Sequence, residues 1–117
     1  KEQVKARSTV FDFNAMTHGN FTSVKGTWKN AEGQTITFDE KGIVADETSI
    51  SSFNYDASGN LIVNVQTRLT GYSIWFVMKG NAIVPEGDTS DTNRDRIFAG
   101  QGMPEDIASA AYYRVDQ

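Results

Sequence analysis

The sequence predicts a mainly β domain, a small antiparallel meander barrel with short helical turns at its N-terminal side. Three observations carry this reading. Short segments alternate apolar and polar residues with period two, glycine-bearing turns separate them, and no stretch sustains the 3.6-residue period of a long helix. At 117 residues the chain has the length of one domain. Its large aromatics, from Phe11, Phe13, Phe21 and Trp28 through Phe38, Phe53, Phe76 and Phe98, are spread evenly enough to fill one core.

Residues 1–10 are polar, with Lys and Arg interspersed, and read as a loose leader or tether before a single domain over 11–117. Asn14 to Gly19 suits one or two helical turns, capped by Asp12 or Asn14 and ended by Gly19. Phe21 to Gly26 suits a second short turn. Thr27 to Lys29 opens the β region, and Asn30-Ala31-Glu32-Gly33 turns it back. Over Gln34 to Asp39, Ile36 and Phe38 share one face, as in a half-buried strand. Glu40-Lys41-Gly42 turns into Ile43 to Ala45, and Phe53 and Tyr55 share a face before the Asp56–Asn60 hairpin loop.

Leu61 to Leu69 is the clearest strand, with Leu61, Val63, Val65 and Leu69 on one side. Tyr72 to Lys79 is apolar on both faces, which demands a central position or a cover on its second face. Gly80-Asn81 leads to a short strand over Ala82 to Val84, ended by Pro85. Glu86 to Arg96 is a polar loop, and Ile97 to Gly100 a short strand. A helical turn fits Pro104 to Ala108, since proline suits the first helical position and acids favour its positive end. Ala111, Tyr113 and Val115 alternate in a last strand.

Composition narrows the function classes. The net charge is −4 and the basic residues do not cluster, so the stripe of Lys and Arg that nucleic acid requires is missing. No apolar run approaches the roughly 20 residues of a spanning helix. With 0 cysteines, disulfides, thiolate metal sites and cysteine nucleophiles are excluded. The chain starts at Lys1 and has no signal-peptide stretch, which fits a mature fragment whose targeting segment is gone.

Motifs that could carry chemistry each have a structural counterpart. His18 is the single histidine, and one such residue beside a turn suits a surface or capping role better than a triad or metal site. Asp88, Asp91, Asn93 and Asp95 offer oxygen ligands for calcium, but their spacing is not an EF-hand. Arg94 and Arg96 lie among them and point to internal pairing. Asp39 with Glu40, and Glu105 with Asp106, lie at turns or a helix start. A carboxylate hydrolase would need such acids to face each other across about 5 to 9.5 Å. Tyr72, Trp75 and Tyr112 are the candidate ligand-binding residues, because aromatics on an accessible face suit a sugar, lipid or protein. In this register Trp75 and Val77 oppose Ile74, Phe76 and Met78, and the N-terminal turns around Phe13 and Met16 are the favoured cover for the outer set.

Gly26-Thr27-Trp28, entering the first strand after a short turn, resembles the opening signature of lipocalin-like barrels. That resemblance implies a Trp28 that plugs the closed end, with a late arginine, here Arg114, packed over it. The indole nitrogen of a buried Trp28 should find a hydrogen-bond acceptor. A wider pattern joins Gly26-Thr27-Trp28-Lys29-Asn30, Gly33 and Thr35-Ile36-Thr37-Phe38 to Asp95–Gln101 and Tyr112-Tyr113-Arg114-Val115. It is similar to an uncharacterised domain of secreted lipoproteins of Gram-positive bacteria. The resemblance implies an extracellular domain, tethered to the membrane through an upstream lipid anchor, with no assigned function. The anchoring cysteine of such proteins is missing from this chain.

The expectation is therefore a non-enzymatic binding or spacer module of the cell envelope that uses no cofactor. Its partner would be a protein, a glycan or a small apolar ligand, and not nucleic acid. The alternatives are a lipocalin-like carrier, which needs a cavity of about 300 Å³ or more lined by Trp28, Phe38 and Val63, and a carboxylate hydrolase.

Overall fold

A computed structural model describes residues 11–84, 87–102 and 104–115. Eight antiparallel strands form one sheet: β1 (Gly26–Lys29), β2 (Thr35–Asp39), β3 (Gly42–Ile43), β4 (Ser49–Tyr55), β5 (Leu61–Gln66), β6 (Gly71–Val77), β7 (Arg96–Gly100) and β8 (Tyr112–Arg114). Their order is β3-β2-β1-β8-β7-β6-β5-β4. Every strand thus pairs with its neighbours in sequence except β3 and β4, which stand at the two edges, and β1 pairs with β8 through Trp28 opposite Arg114. This is the meander barrel expected. The helical parts are α1 (Phe13–Thr17), a 3-10 turn (Thr22–Val24) and α2 (Ile107–Ala110).

Between β3 and β4 the ladder is open, and side chains close the seam instead. Gly42 makes that possible. Its φ is 138°, and a Cβ there would stand 3.0 Å from Ile50 Cδ1. Gly42→Ala combines a strained backbone with a clash across the seam, so it is expected to cost roughly 1–3 kcal/mol. Urea denaturation checks this against Gly33→Ala, whose φ of 85° carries backbone strain with no atom near the new Cβ; equal losses in the two variants would refute the side-chain closure. The β4 edge carries a bulge between Ile50 and Ser52 and presents Ser51 and Ser52, features that discourage pairing with another chain.

One end of the barrel is plugged by the N-terminal turns. Asp12 caps α1, accepting from the Ala15 N–H at 3.0 Å, and Gly19 leaves the turn at φ 93°. The helix brings Met16 inward, and Phe11 meets Trp28 and Phe76 at ring separations of 5.6 and 5.4 Å. Trp28 donates its indole N–H to the Val24 carbonyl at 3.0 Å, and the Arg114 guanidinium lies 4.5 Å from its ring centre. Arg114 also donates to the Ser23 and Lys25 carbonyls, which pins the 3-10 turn to the last strand. The lipocalin-like expectation for Trp28 and Arg114 is thus met at the geometric level.

The interior is solid. Trp28 and Val63 expose no surface, Phe38 only 2 %, and Leu61, Ile74, Phe76 and Ile97 none. Trp28, Leu61, Val63, Ile74, Phe76 and Ile97 therefore border no water-sized void. The carrier reading needed a cavity at Trp28, Phe38 and Val63; aromatic side chains fill that space instead.

A second layer covers the outer face of β6, β7 and β8. Val77, Ile83, Phe98 and Ala111 form its buried centre, with Trp75, Val84, Ile107, Ala110 and Tyr113 packed around them. The two-faced β6 is therefore covered, but by the β6–β7 connection and α2 rather than by Phe13 and Met16. Those two residues are committed to the barrel plug.

Other boundaries move for local reasons. β5 ends at Gln66, because Thr67 and Thr70 close a tight turn through both backbone and hydroxyl bonds. Leu69 sits at that turn, 87 % exposed, instead of facing the core. Residues 82–84 form no strand, since the Ile83 N–H is taken by the Asp88 carboxylate. The last helical turn starts at Ile107, after Asp106 as N-cap, rather than at Pro104. In β8 the inward residues are Tyr112 and Arg114, while Ala111 and Tyr113 face the outer layer. The expected leader over 1–10 and the strand stop at Pro85 lie outside the described residues.

Candidate functional site

Two sequence candidates, His18 and the Asp88–Asp95 loop, resolve into structural roles. His18 is exposed at the C-terminal end of α1, its Nδ1 2.7 Å from the Asn14 carbonyl oxygen, a capping position. Asp88 spends its carboxylate within the protein: it accepts from the Ile83 and Ser90 N–H groups, the Ser90 hydroxyl and Arg96. Asp91 accepts from the Asn93 N–H, and Asp95 from the Lys79 N–H. Each acid of this loop thus serves a different backbone position. Among the described residues, no three His, Cys, Asp or Glu side chains converge as a metal site.

The loop is internally paired, as the arginines suggested, yet its centre is buried. Arg96 has no exposed side-chain surface and Asp88 only 4 %, with 2.9 Å between their charged atoms. Burial would raise the Asp88 carboxyl, but hydrogen bonds from Ser90, the Ile83 and Ser90 N–H groups and Arg96 outweigh it and hold the group below its ordinary range.

Tyr72, Trp75 and Tyr112 do not form one surface. Trp75 lies in the outer layer, whereas Tyr72 and Tyr112 face the interior near the end opposite the plug. There Tyr112 helps line a pocket of about 260 Å³ between the β1–β2 turn and the β7–β8 connection. Asn30, Glu32 and Gln34 form one wall, and Pro104, Glu105, Asp106 and Ser109 another. Tyr72 is not part of the lining, but it stands close enough to influence Tyr112. Burial raises both phenols, and for Tyr112 the neighbouring Tyr72 and Glu32 add to the effect.

The walls are held from below. The Asn30 side chain accepts from the Glu32 and Gln34 N–H groups at 3.0 and 2.9 Å, and donates to the Gln34 side chain at 2.8 Å. Asn30 is 93 % buried while its neighbours in the turn are exposed, so the loop is ordered by its own amide. On the other wall Asp106 caps α2, accepting from the Ser109 N–H. Of these positions the sequence had singled out Tyr112, Glu105 and Asp106. Asn30 read only as a turn residue, and the Asn–Gln spacing was the signal available.

A profile for a domain of unknown function, DUF6287, matches residues 1–117, the full length of the chain. The chain belongs to the DUF6287 family. No curated protein and no solved structure matches it. In this DUF6287 domain the barrel is plugged at the end where the described chain starts, and concave at the other.

Proposed function

We propose that this DUF6287 domain is a non-enzymatic binding module of the cell envelope, and that it presents the concave end of its barrel to a ligand. One observation carries the reading: a barrel with a filled core has a preformed pocket at the end opposite its plug, with Tyr112 in its lining and an amide-ordered loop as its wall. A pure spacer has no use for such an opening. His18 lies on α1 at the plugged end, away from the pocket, which favours binding over acid–base chemistry. The envelope setting draws on the sequence resemblance to secreted lipoproteins.

Mapping with small organic probes tests the site. Heteronuclear NMR spectra of the labelled domain, recorded with phenol, acetone and isopropanol in turn, should show shifts gathered at Asn30, Ala99, Ser109 and Tyr112. Shifts scattered over the surface, or gathered at the Val44 side of the seam, would reject this end as the ligand site.

A further inference from the structure

Tyr112 combines features that a purely structural tyrosine lacks. It is 91 % buried, it lines the pocket, and its hydroxyl makes no hydrogen bond among the described residues. No buried side-chain oxygen or nitrogen is left unsatisfied in the described structure, so solvent reaches the hydroxyl of this pocket-lining residue. A buried phenol usually finds a partner in the protein; here that position is open to whatever enters. Around the opening stand three carboxylates, Glu32, Glu105 and Asp106, and no lysine or arginine is among the described lining residues.

We infer that the pocket takes an organic cation, an ammonium or guanidinium group on a flexible chain, with the Tyr112 hydroxyl and the Glu32 and Glu105 carboxylates as acceptors. Such a group brings only donors, and this pocket offers acceptors without competing cations. The net charge of −4 favours the same sign of partner from a distance. A neutral sugar would also use the amides, but would leave the acids of the lining without a counter-charge. Asp106 is already engaged as the α2 cap, so Glu32 and Glu105 are the acids free to turn to the ligand.

This inference rests on the reading of the concave end as a ligand site, and the test separates the two. The labelled full chain is titrated with N-acetyl-lysine methylamide, with N-acetyl-arginine methylamide, with the diamine cadaverine, and with N-acetylglucosamine as the neutral probe. The three cations should bind with a Kd of about 1 mM or weaker, as suits ligands of few atoms. They should shift Asn30, Ser109 and Tyr112, and weaken as salt shortens the screening length. Preference for cadaverine assigns the source to free amines, and preference for the amino-acid amides to protein side chains. Glu105→Gln should weaken the cations about twofold to fivefold, and Tyr112→Phe about twofold to tenfold, with the spectra otherwise unchanged. Binding of N-acetylglucosamine at the same residues without the cations would overturn the cationic class and keep the site. No shift from any probe at roughly 50 mM would overturn both. Unaltered cation affinity in both variants would also overturn the assignment.

Discussion

Arg96→Ala is expected to destabilise the domain by about 3–5 kcal/mol, a large fraction of the roughly 5–15 kcal/mol available to a small protein. The guanidinium is fully buried outside the barrel proper, where it fastens the long β6–β7 connection to the sheet. Its Nε donates to the Ser90 hydroxyl at 2.9 Å, and Nη1 to the Met78 and Arg94 carbonyls at 3.3 and 3.1 Å. Nη2 donates to the Asn81 carbonyl and the Asp88 carboxylate at 2.7 and 2.9 Å. Truncation withdraws these donors from the Arg94 and Asn81 carbonyls, leaves the Met78 carbonyl only its bond from the Asn81 N–H, and strips a carboxylate, 4 % exposed, of its counter-charge. Lysine cannot replace it, since three donors on one nitrogen cannot reach acceptors spread around a planar fork.

The same pair gives the domain a sign of pH dependence. The Asp88 carboxyl is held below its ordinary value in the fold, so the folded state favours its ionised form. That contribution is complete above the unfolded value of about 3.9 and is lost as pH falls through the lower folded value. Asp88→Asn should therefore be much less stable than the parent at neutral pH, and the difference should shrink as the medium becomes acidic. Urea titrations at several pH values measure both effects. A gap between parent and D88N that stays constant into strong acid would refute the ion-pair account, as would an Arg96→Ala domain of parental stability.

Trp28→Ala is the second large expected effect, about 3–5 kcal/mol. The indole is the largest side chain with no exposed surface, and it sits where the plug meets the barrel. Its removal opens a cavity beneath Phe11, withdraws the donor from the Val24 carbonyl and strips Arg114 of the ring it covers. Trp28→Phe restores part of the volume but not the N–H, and should fall between parent and alanine. Arg114→Ala keeps the indole and should cost less than Trp28→Ala, because its cation–π contact lies at the rim. Chemical denaturation orders the three variants. A Trp28→Ala domain that loses under about 1 kcal/mol would mean that the plug does not depend on the indole.

Local patterns in the sequence foretold much of the barrel. Ile36 and Phe38 share a face, as do Phe53 and Tyr55, because period-two alternation follows directly from the strand geometry. The turns at Asn30–Gly33 and Asp56–Asn60 were equally visible. There Asn30 and Asp56 side chains accept from N–H groups two and four residues on, a bond formed within the turn itself. Leu69 misled because its parity continued that of Val65, whereas the Thr67–Thr70 bonds end the strand first. Ala82 to Val84 misled for the opposite reason: its backbone donor goes to Asp88, five residues beyond Ile83, and not to a neighbouring strand.

Of the candidate site, the sequence marked Tyr112 and the Glu105–Asp106 acids, but grouped Trp75 with Tyr72 and Tyr112. Alternation separates Trp75 from Tyr72 along β6, yet it does not say which face turns inward or what covers the other. Asn30 and Gln34 reach the pocket only because β1 pairs with β8, joining the two ends of the described chain.

From its residues alone this chain determined that it would be strands, where most turns fall, and that Trp28 would be a buried anchor. Those properties arise from side-chain parity and from bonds spanning a few residues. Only the tertiary structure decided that the barrel is filled, that Arg96 and Asp88 form a buried clasp, and that an acid-rimmed pocket opens around Tyr112. Each of these depends on segments far apart in sequence, brought together by strand pairing and by the exclusion of water.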